Sequence, residues 1–424
     1  MRSLYKSLGA AALSVSLLSI AACGSNAESG DKTATEKKSS SPSATMANHG
    51  LKPTSTGNPF ADARTAASHM PMTAAALATG ISQAANVEGN VASPAAELRA
   101  GLTHLLQEHV YLAGIAVATA YHAGADSDEF KAAAATVDEN SVEVSKAVGS
   151  VAGGENEKAF LQSWRSHVND FVSYAVAAKG KDEAGKKKAV DNLLAYAKQQ
   201  GVFFMKITGG ALPKDAVEKE FVTHITSLAG AVDAFAAGDA DAYDKLKAAA
   251  EHMPMTAQAL SGGIVKAAKI EGDPNDAASE LCTGLTSLLN GHEYLAAITV
   301  FTAYTAGADS AAFKAAGAAL DDNSVELSKA VGSVAGAENE MAFLQLWRAH
   351  IEDFVAYAVA AAGNDEVGKQ KELADLDAYR QNAGAFFDKI TKGALPKDDV
   401  AALLKTHVEA TAGAIDSLKA ALVK

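Results

Sequence analysis

The sequence predicts an all-α protein made of two tandem, homologous helical bundles. Three observations lead there. Alanine and leucine dominate while prolines number only nine, a balance that favours helices over a large sheet. Apolar residues recur at spacings of three and four, as in FLQSWRSHVNDFVSY from Phe160 to Tyr174, where Phe160, Leu161, Trp164, Val168, Phe171 and Val172 form one stripe. That helix returns as FLQLWRAHIEDFVAY from Phe343 to Tyr357, and the same offset runs through most of the chain.

The repeat is read directly from the residues. His69-Met70-Pro71-Met72-Thr73-Ala74 recurs as His252-Met253-Pro254-Met255-Thr256-Ala257, an offset of 252 − 69 = 183 residues. Without a gap, the same offset carries Tyr111 to Tyr294, Trp164 to Trp347, Tyr196 to Tyr379 and Leu212-Pro213-Lys214 to Leu395-Pro396-Lys397. Such a period is far longer than that of common solenoids, so each copy is expected to be a domain. The copies are placed at residues 59–238 and 239–424, and a chain of 424 residues is long enough to give each a core.

Ahead of the copies, residues 1–23 read as an export signal. Arg2 and Lys6 precede an apolar run from Leu8 to Ala22, which ends at Ile20-Ala21-Ala22-Cys23. This resembles a bacterial lipoprotein signal, in which cleavage leaves Cys23 as the lipidated N-terminus. Residues 24–58, rich in Ser, Thr, Lys and Gly, are expected to form a disordered tether. No later stretch of about twenty residues lacks charge, so no transmembrane helix is expected in the mature protein. The expected location is extracytoplasmic, held to the membrane through the lipid. A net charge of −13 and a pI near 5.3 exclude nucleic acid and an anionic lipid surface as partners. Cys282 is then left without an intrachain partner and is expected to be a buried, inert thiol.

Within a copy, a lead-in helix ends near His69 and a second begins at Pro71, since proline is tolerated in a first turn. Further helices are expected from Ser93 to Tyr121, Ser127 to Val148, Glu155 to Ala178, Asp182 to Ile207, and from Pro213 to just before Gly238, with glycines between them. The segment from Asp239 to His252 is the lead-in helix of the second copy.

Four of these helices carry one polar residue inside an apolar stripe. His109 interrupts Leu98, Leu102, Leu105, Leu112 and Ala116; Asn140 interrupts Phe130, Val137, Val144 and Ala147; His167 lies between Trp164 and Phe171; His224 interrupts Val217, Phe221, Leu228 and Val232. The second copy repeats them as His292, Asn323, His350 and His407. Of 11 histidines, His49 falls in the tether, and eight of the other ten form pairs at the repeat offset. Side chains from facing helices of a bundle converge on its axis, and neutral imidazole suits zinc, copper and iron. The metal candidates are therefore His109, His167 and His224, and His292, His350 and His407. Asn140, Glu143 and Asp170, with Asn323, Glu326 and Asp353, are candidates to support them. The bland alternative is that buried His and Asn satisfy one another and only fix the register of the bundle.

The His69-Met70-Met72 and His252-Met253-Met255 sets are further candidates, since a thioether beside an imidazole is a soft donor pair; the alternative is that these methionines fill a helix junction. There is no Gly-rich phosphate loop, HExxH or Gly-x-Ser-x-Gly, so no catalytic set is legible and an enzyme is the weaker expectation.

LLQEHVYLA from Leu105 to Ala113, AVGSVAG from Ala147 to Gly153, WRSHV from Trp164 to Val168 and HMPMTA at His69 resemble motifs of duplicated, all-helical envelope lipoproteins of Gram-positive bacteria. The resemblance covers nearly all of each copy and implies an exported helical unit with no settled activity. Some members are described as copper amine oxidases, through an appended domain, and no oxidase chemistry is expected here. Glu108 becomes Gly291 in the second copy, which argues against Glu108 as an essential ligand. The expected function is capture or buffering of a transition metal (copper, iron or zinc) at the envelope. The alternative is a structural or protein-interaction module, its protein partner unknown.

Overall fold

Short polar residues and glycines set the helix ends. Ser93, Ser127 and Asp182 each accept a bond from a backbone N–H in the first turn that follows, and Gly153 and Gly238, with φ of 87° and 75°, take conformations that side chains resist. In the computed structural model, which describes residues 50–423, the resulting helices in the first half are α1 (Pro59–Ser68), α2 (Met70–Ala85), α3 (Pro94–Ala123), α4 (Asp128–Ala152), α5 (Gly154–Lys179), α6 (Glu183–Ile207) and α7 (Lys214–Ala237). The second half gives α8 (Ala242–Glu251), α9 (Met253–Ala268), α10 (Ala277–Ala306), α11 (Ala311–Ala335), α12 (Ala337–Ala362), α13 (Glu366–Ile390) and α14 (Lys397–Leu422). Each boundary recurs at the repeat offset except the end of α14, and no strand occurs among the described residues. None of these helices is long and apolar enough to cross a membrane.

Helices α3 to α7 pack in sequence and close on one another through α3, α5 and α7; α10 to α14 do the same. The lead-in helices are exchanged between these two sets. α1 and α2 pack against α14 and α10, whereas α8 and α9 pack against α7 and α3. Thus Met70, Leu77 and Ile81 of α2 share a core with Leu285, Trp347 and Phe387, and Met253, Leu260 and Ile264 of α9 share one with Leu102, Trp164 and Phe204. The packing units therefore differ from the sequence units 59–238 and 239–424, because each copy lends its first two helices to the other. Glycine seals both contacts: a Cβ on Gly80 would fall 2.2 Å from Leu395 Cγ, and one on Gly263 would fall 2.1 Å from Leu212 Cγ.

The crossing is built symmetrically. Ala95 N–H donates to Glu271 O and Ala278 N–H to Glu88 O, at 3.0 and 2.9 Å, so equivalent segments bond each other reciprocally. Along the α3–α10 contact, Asn290 Nδ2 donates to Gln107 Oε1 at 3.0 Å, and Tyr111 stacks on Tyr294 with centroids 5.4 Å apart. Equivalent residues meeting in this way define a local two-fold axis. Arg99 forks onto the Glu280 carboxylate at 2.8 and 2.9 Å beside it.

The expected signal, Cys23 and most of the expected tether lie outside the described residues. The last part of the expected tether is ordered, which corrects its boundary at residue 58. Leu51 is buried in the core of α12 to α14, Thr54 N–H donates to Glu409 O, and Gly413 leaves the room that the Thr54 backbone occupies. Cys282 is buried, and burial pushes its thiol pKa up, so it is held as an unreactive thiol.

The exchange makes a direct prediction for the half chain. Residues 50–238 alone retain α1 and α2 with no α10 or α14 to cover them, so this fragment is expected to dimerise by lending the pair to a second copy, as light scattering would read. A folded, stable monomer of that fragment would contradict the exchanged packing.

Candidate metal centres

Helices α3, α5 and α7 each turn one histidine toward the axis of their set, because each histidine occupies a core position of its helix. His109, His167 and His224 are all buried. One nitrogen from each lies within 4.8 Å of the other two. His109 Nε2 and His167 Nε2 are 3.3 Å apart. The second set matches: His292, His350 and His407 are buried, their nitrogens fall within the same 4.8 Å, and His292 Nε2 faces His350 Nε2 at 3.4 Å. A tetrahedron with vertices at the Zn–N distance of 2.0–2.1 Å has edges of about 3.3–3.4 Å. The facing nitrogens already sit at that separation.

Aromatic rings fix the imidazoles in place. His167 stacks on Tyr196 with centroids 4.6 Å apart and meets the edge of Trp164 at 4.5 Å; His350 does the same with Tyr379 at 4.3 Å and Trp347 at 4.5 Å. Phe171 and Phe354 close over His224 and His407. These walls leave polar atoms unmatched. Both ring nitrogens of His224, Nδ1 of His109 and of His292, and Nε2 of His407 are buried without a hydrogen-bond partner. An orphaned polar atom costs about 1–3 kcal/mol, so two such clusters are expensive unless something fills them.

Burial also fixes the charge state. It pushes His109 down to about 4 and His224 down to about 3, His109 and His252 adding repulsion to the latter. His167 and His350 are held well below the usual imidazole value, first by burial and then by their neighbouring rings. His292 falls to about 4 through burial, although Glu293 pulls it the other way. Neutral imidazoles are the form that ligates a cation.

The other sequence candidates lie elsewhere. Asn140 Nδ2 donates to Leu105 O and Glu108 Oε2, and Asn323 Nδ2 to Leu288 O; both amides tie neighbouring helices together and do not orient a histidine. Glu143 pairs with Arg64, and Glu326 with Lys247. Asp170 accepts from Asn192 on the exposed side of α5. Asp353 lies beside Glu372 and Asp375, and burial together with those carboxylates raises its pKa to about 6. A residue three positions from a buried histidine lies about 60° around the helix, enough to leave the axis.

The His-Met segments divide in the same way. Met70 and Met253 are core residues, while Met72 and Met255 are 58% and 55% exposed and belong to no buried centre. Through the exchange of α1–α2 and α8–α9, His69 feels the charges of Glu293 and His407, and His252 acts on His224. Each motif therefore flanks the centre built by the other copy. His252 Nε2 lies 3.2 Å from Glu220 Oε2.

No protein-family model, curated protein or solved structure matches this chain. The reading of the two centres accordingly rests on their own residues.

Glu293 and Thr411, which bond His407, were not singled out from the sequence. Glu108, which the sequence argued against as a ligand, is buried between Arg64, Asn140 and Tyr294. A groove of about 520 Å³ also runs between α3, α4 and α5, with His109 at its floor and Val137, Val168 and Ala116 in its walls. A separate cavity of about 30 Å³ lies beside His292, walled by α1 and α14 as well as by Leu320, Ile351 and Thr299, which stand where Val137, Val168 and Ala116 stand in the first half.

The neutral histidines predict acid sensitivity of the metal-free chain. An unfolded imidazole takes up its proton near pH 6.5, while folded His109 does so only near 4 and His224 near 3. Between those values the unfolded state binds more protons, so stability is full above about pH 6.5 and is lost as pH falls toward 4 and 3, by about 3 kcal/mol for His109 alone. Urea denaturation at pH 7.5 and pH 5 should show this loss, with a smaller loss in His109→Leu; a midpoint that does not move with pH would contradict it.

Proposed function

We propose that each helix set binds one transition metal ion, of the copper, iron or zinc type, His109, His167 and His224 serving one centre and His292, His350 and His407 the other. The observation that carries this reading is the meeting of three buried imidazoles from three helices in each half. Three histidines leave a fourth position open to water or an incoming ligand, and nitrogen donors in a dry pocket suit these metals over calcium or magnesium.

The competing reading, a network that only fixes the register of the core, is favoured by the Nε2–Nε2 approach of 3.3 Å between His167 and His109, a distance that suits a weak hydrogen bond as well. That bond satisfies one nitrogen of each ring. It leaves His224 with neither nitrogen partnered, and a core selected for order alone would replace that ring with leucine at a gain.

The two helix sets are read as homologous bundles, from the repeat in sequence and in helix boundaries. Met70 and Met253 serve as packing in this account. The N-terminal pattern ending in Cys23 supports an extracytoplasmic lipoprotein of the duplicated helical kind, which captures or buffers metal at the envelope.

Metal analysis of the purified full chain, loaded and then desalted, is expected to give two ions per chain, one in His109→Ala and close to none in His109→Ala/His292→Ala. A full complement in the double variant would remove these rings as ligands.

A further inference from the structure

The two triads are built from equivalent residues, yet the shells behind them differ at two positions that change together. Behind the second triad stand Glu293 and Thr411; at the repeat offset the first has Val110 and Leu228. All four are buried. The His407 Nδ1 side faces the Glu293 carboxylate in direct contact, and Thr411 Oγ1 lies 3.1 Å from Glu293 Oε2 and 3.3 Å from His407 Nδ1. A carboxylate accepts, so Nδ1–H donates to it. That leaves Nε2 as the only nitrogen of His407 with a free lone pair, and Nε2 has no partner in the protein. His224 has apolar neighbours at both places and no bond at either nitrogen, so no hydrogen bond sets its tautomer.

Access differs as well. The groove of about 520 Å³ has His109 in its lining. Beside His292 lies a cavity of about 30 Å³, where Leu320, Ile351 and Thr299 replace the smaller Val137, Val168 and Ala116. In the second centre a hydrogen bond sets the tautomer of His407 and puts a carboxylate behind it; in the first, His224 has neither, and a groove lies beside His109.

Resting on the metal-binding reading above, we propose that the centres are unequal: His292, His350 and His407 form a retention site that Glu293 orients, and His109, His167 and His224 form an exchange site served by the groove. Glu293 is a positioning residue. It fixes the His407 tautomer, makes the ring a better donor and supplies a buried anion to the incoming cation. A carboxylate behind a ligating histidine is worth about 10–100-fold in metal affinity. Metal enters and leaves through the first centre, and the second stays filled when free metal is scarce.

The chain contains two tryptophans, and each marks one centre: Trp164 lies 4.8 Å from His109 and Trp347 lies 4.7 Å from His292, centroid to centroid. Paramagnetic Co(II) quenches a nearby indole. In full-length Trp164→Phe, quenching of Trp347 reports the second site; in Trp347→Phe, quenching of Trp164 reports the first. The second site is expected to half-fill at about 10–100-fold lower free Co(II) and to lose metal to excess chelator more slowly. Glu293→Gln should remove most of that advantage, Glu293→Asp should restore part of it, and Val110→Glu/Leu228→Thr should tighten the first site. Equal affinities and release rates in the two reporter chains, or an unchanged second site in a folded Glu293→Gln, would overturn the inequality and leave metal binding standing. No quenching in either reporter would overturn the metal reading itself.

Discussion

The structure depends on one constraint: three imidazoles in each half are buried in an apolar core with too few protein partners for their nitrogens. Aromatic rings surround them, Trp164 and Tyr196 on one side and Phe171 on another, so water has no lining to bond to. Burial disfavours the charged form of His109, His167, His224, His292 and His350, and a neutral ring offers a lone pair. A core with this arrangement is destabilised by its own polar atoms and stabilised by a cation that takes their lone pairs.

The exchanged helices bear on that constraint because they complete the walls. Met70 reaches the core that holds Trp347, and Met253 the core that holds Trp164. Neither centre is enclosed by its own copy alone, and the two sets meet at the crossing of Gln107–Asn290 and Tyr111–Tyr294. Size is compensated across the exchange. Leu246 of α8 fills the notch at Gly114, where a Cβ would fall 2.5 Å from it, whereas the equivalent pair is Ala63 and Ala297. Charge is redistributed too: Glu108 anchors Arg64 of α1 and Tyr294 of α10, its place is taken by Gly291 in the second copy, and the buried carboxylate there lies two positions on, at Glu293.

Much of this was legible in the residues. The stripes gave the long helices within a few residues, and the interruption of three stripes by His109, His167 and His224 pointed to the cluster, because periodicity fixes which face a side chain occupies. Asp170, three residues after His167, and Glu143, three after Asn140, do not support the triad for the same reason, since both turn off the buried face. The exchange of α1–α2 for α8–α9 was not legible: equivalent helices in a repeat have the same pattern, so the sequence cannot say which copy receives them. Glu293 was present as a difference from Val110, but its meaning required Thr411 and His407, which come from a helix more than a hundred residues away.

X-ray absorption at the metal edge of the zinc-loaded full chain tests the central claim most directly. The account predicts a first shell of nitrogen and oxygen near 2.0–2.1 Å, with the outer-shell scattering of three imidazoles per ion and no sulfur. A shell of oxygens alone, or one with the longer distance of a thiolate or thioether near 2.3 Å, would contradict it.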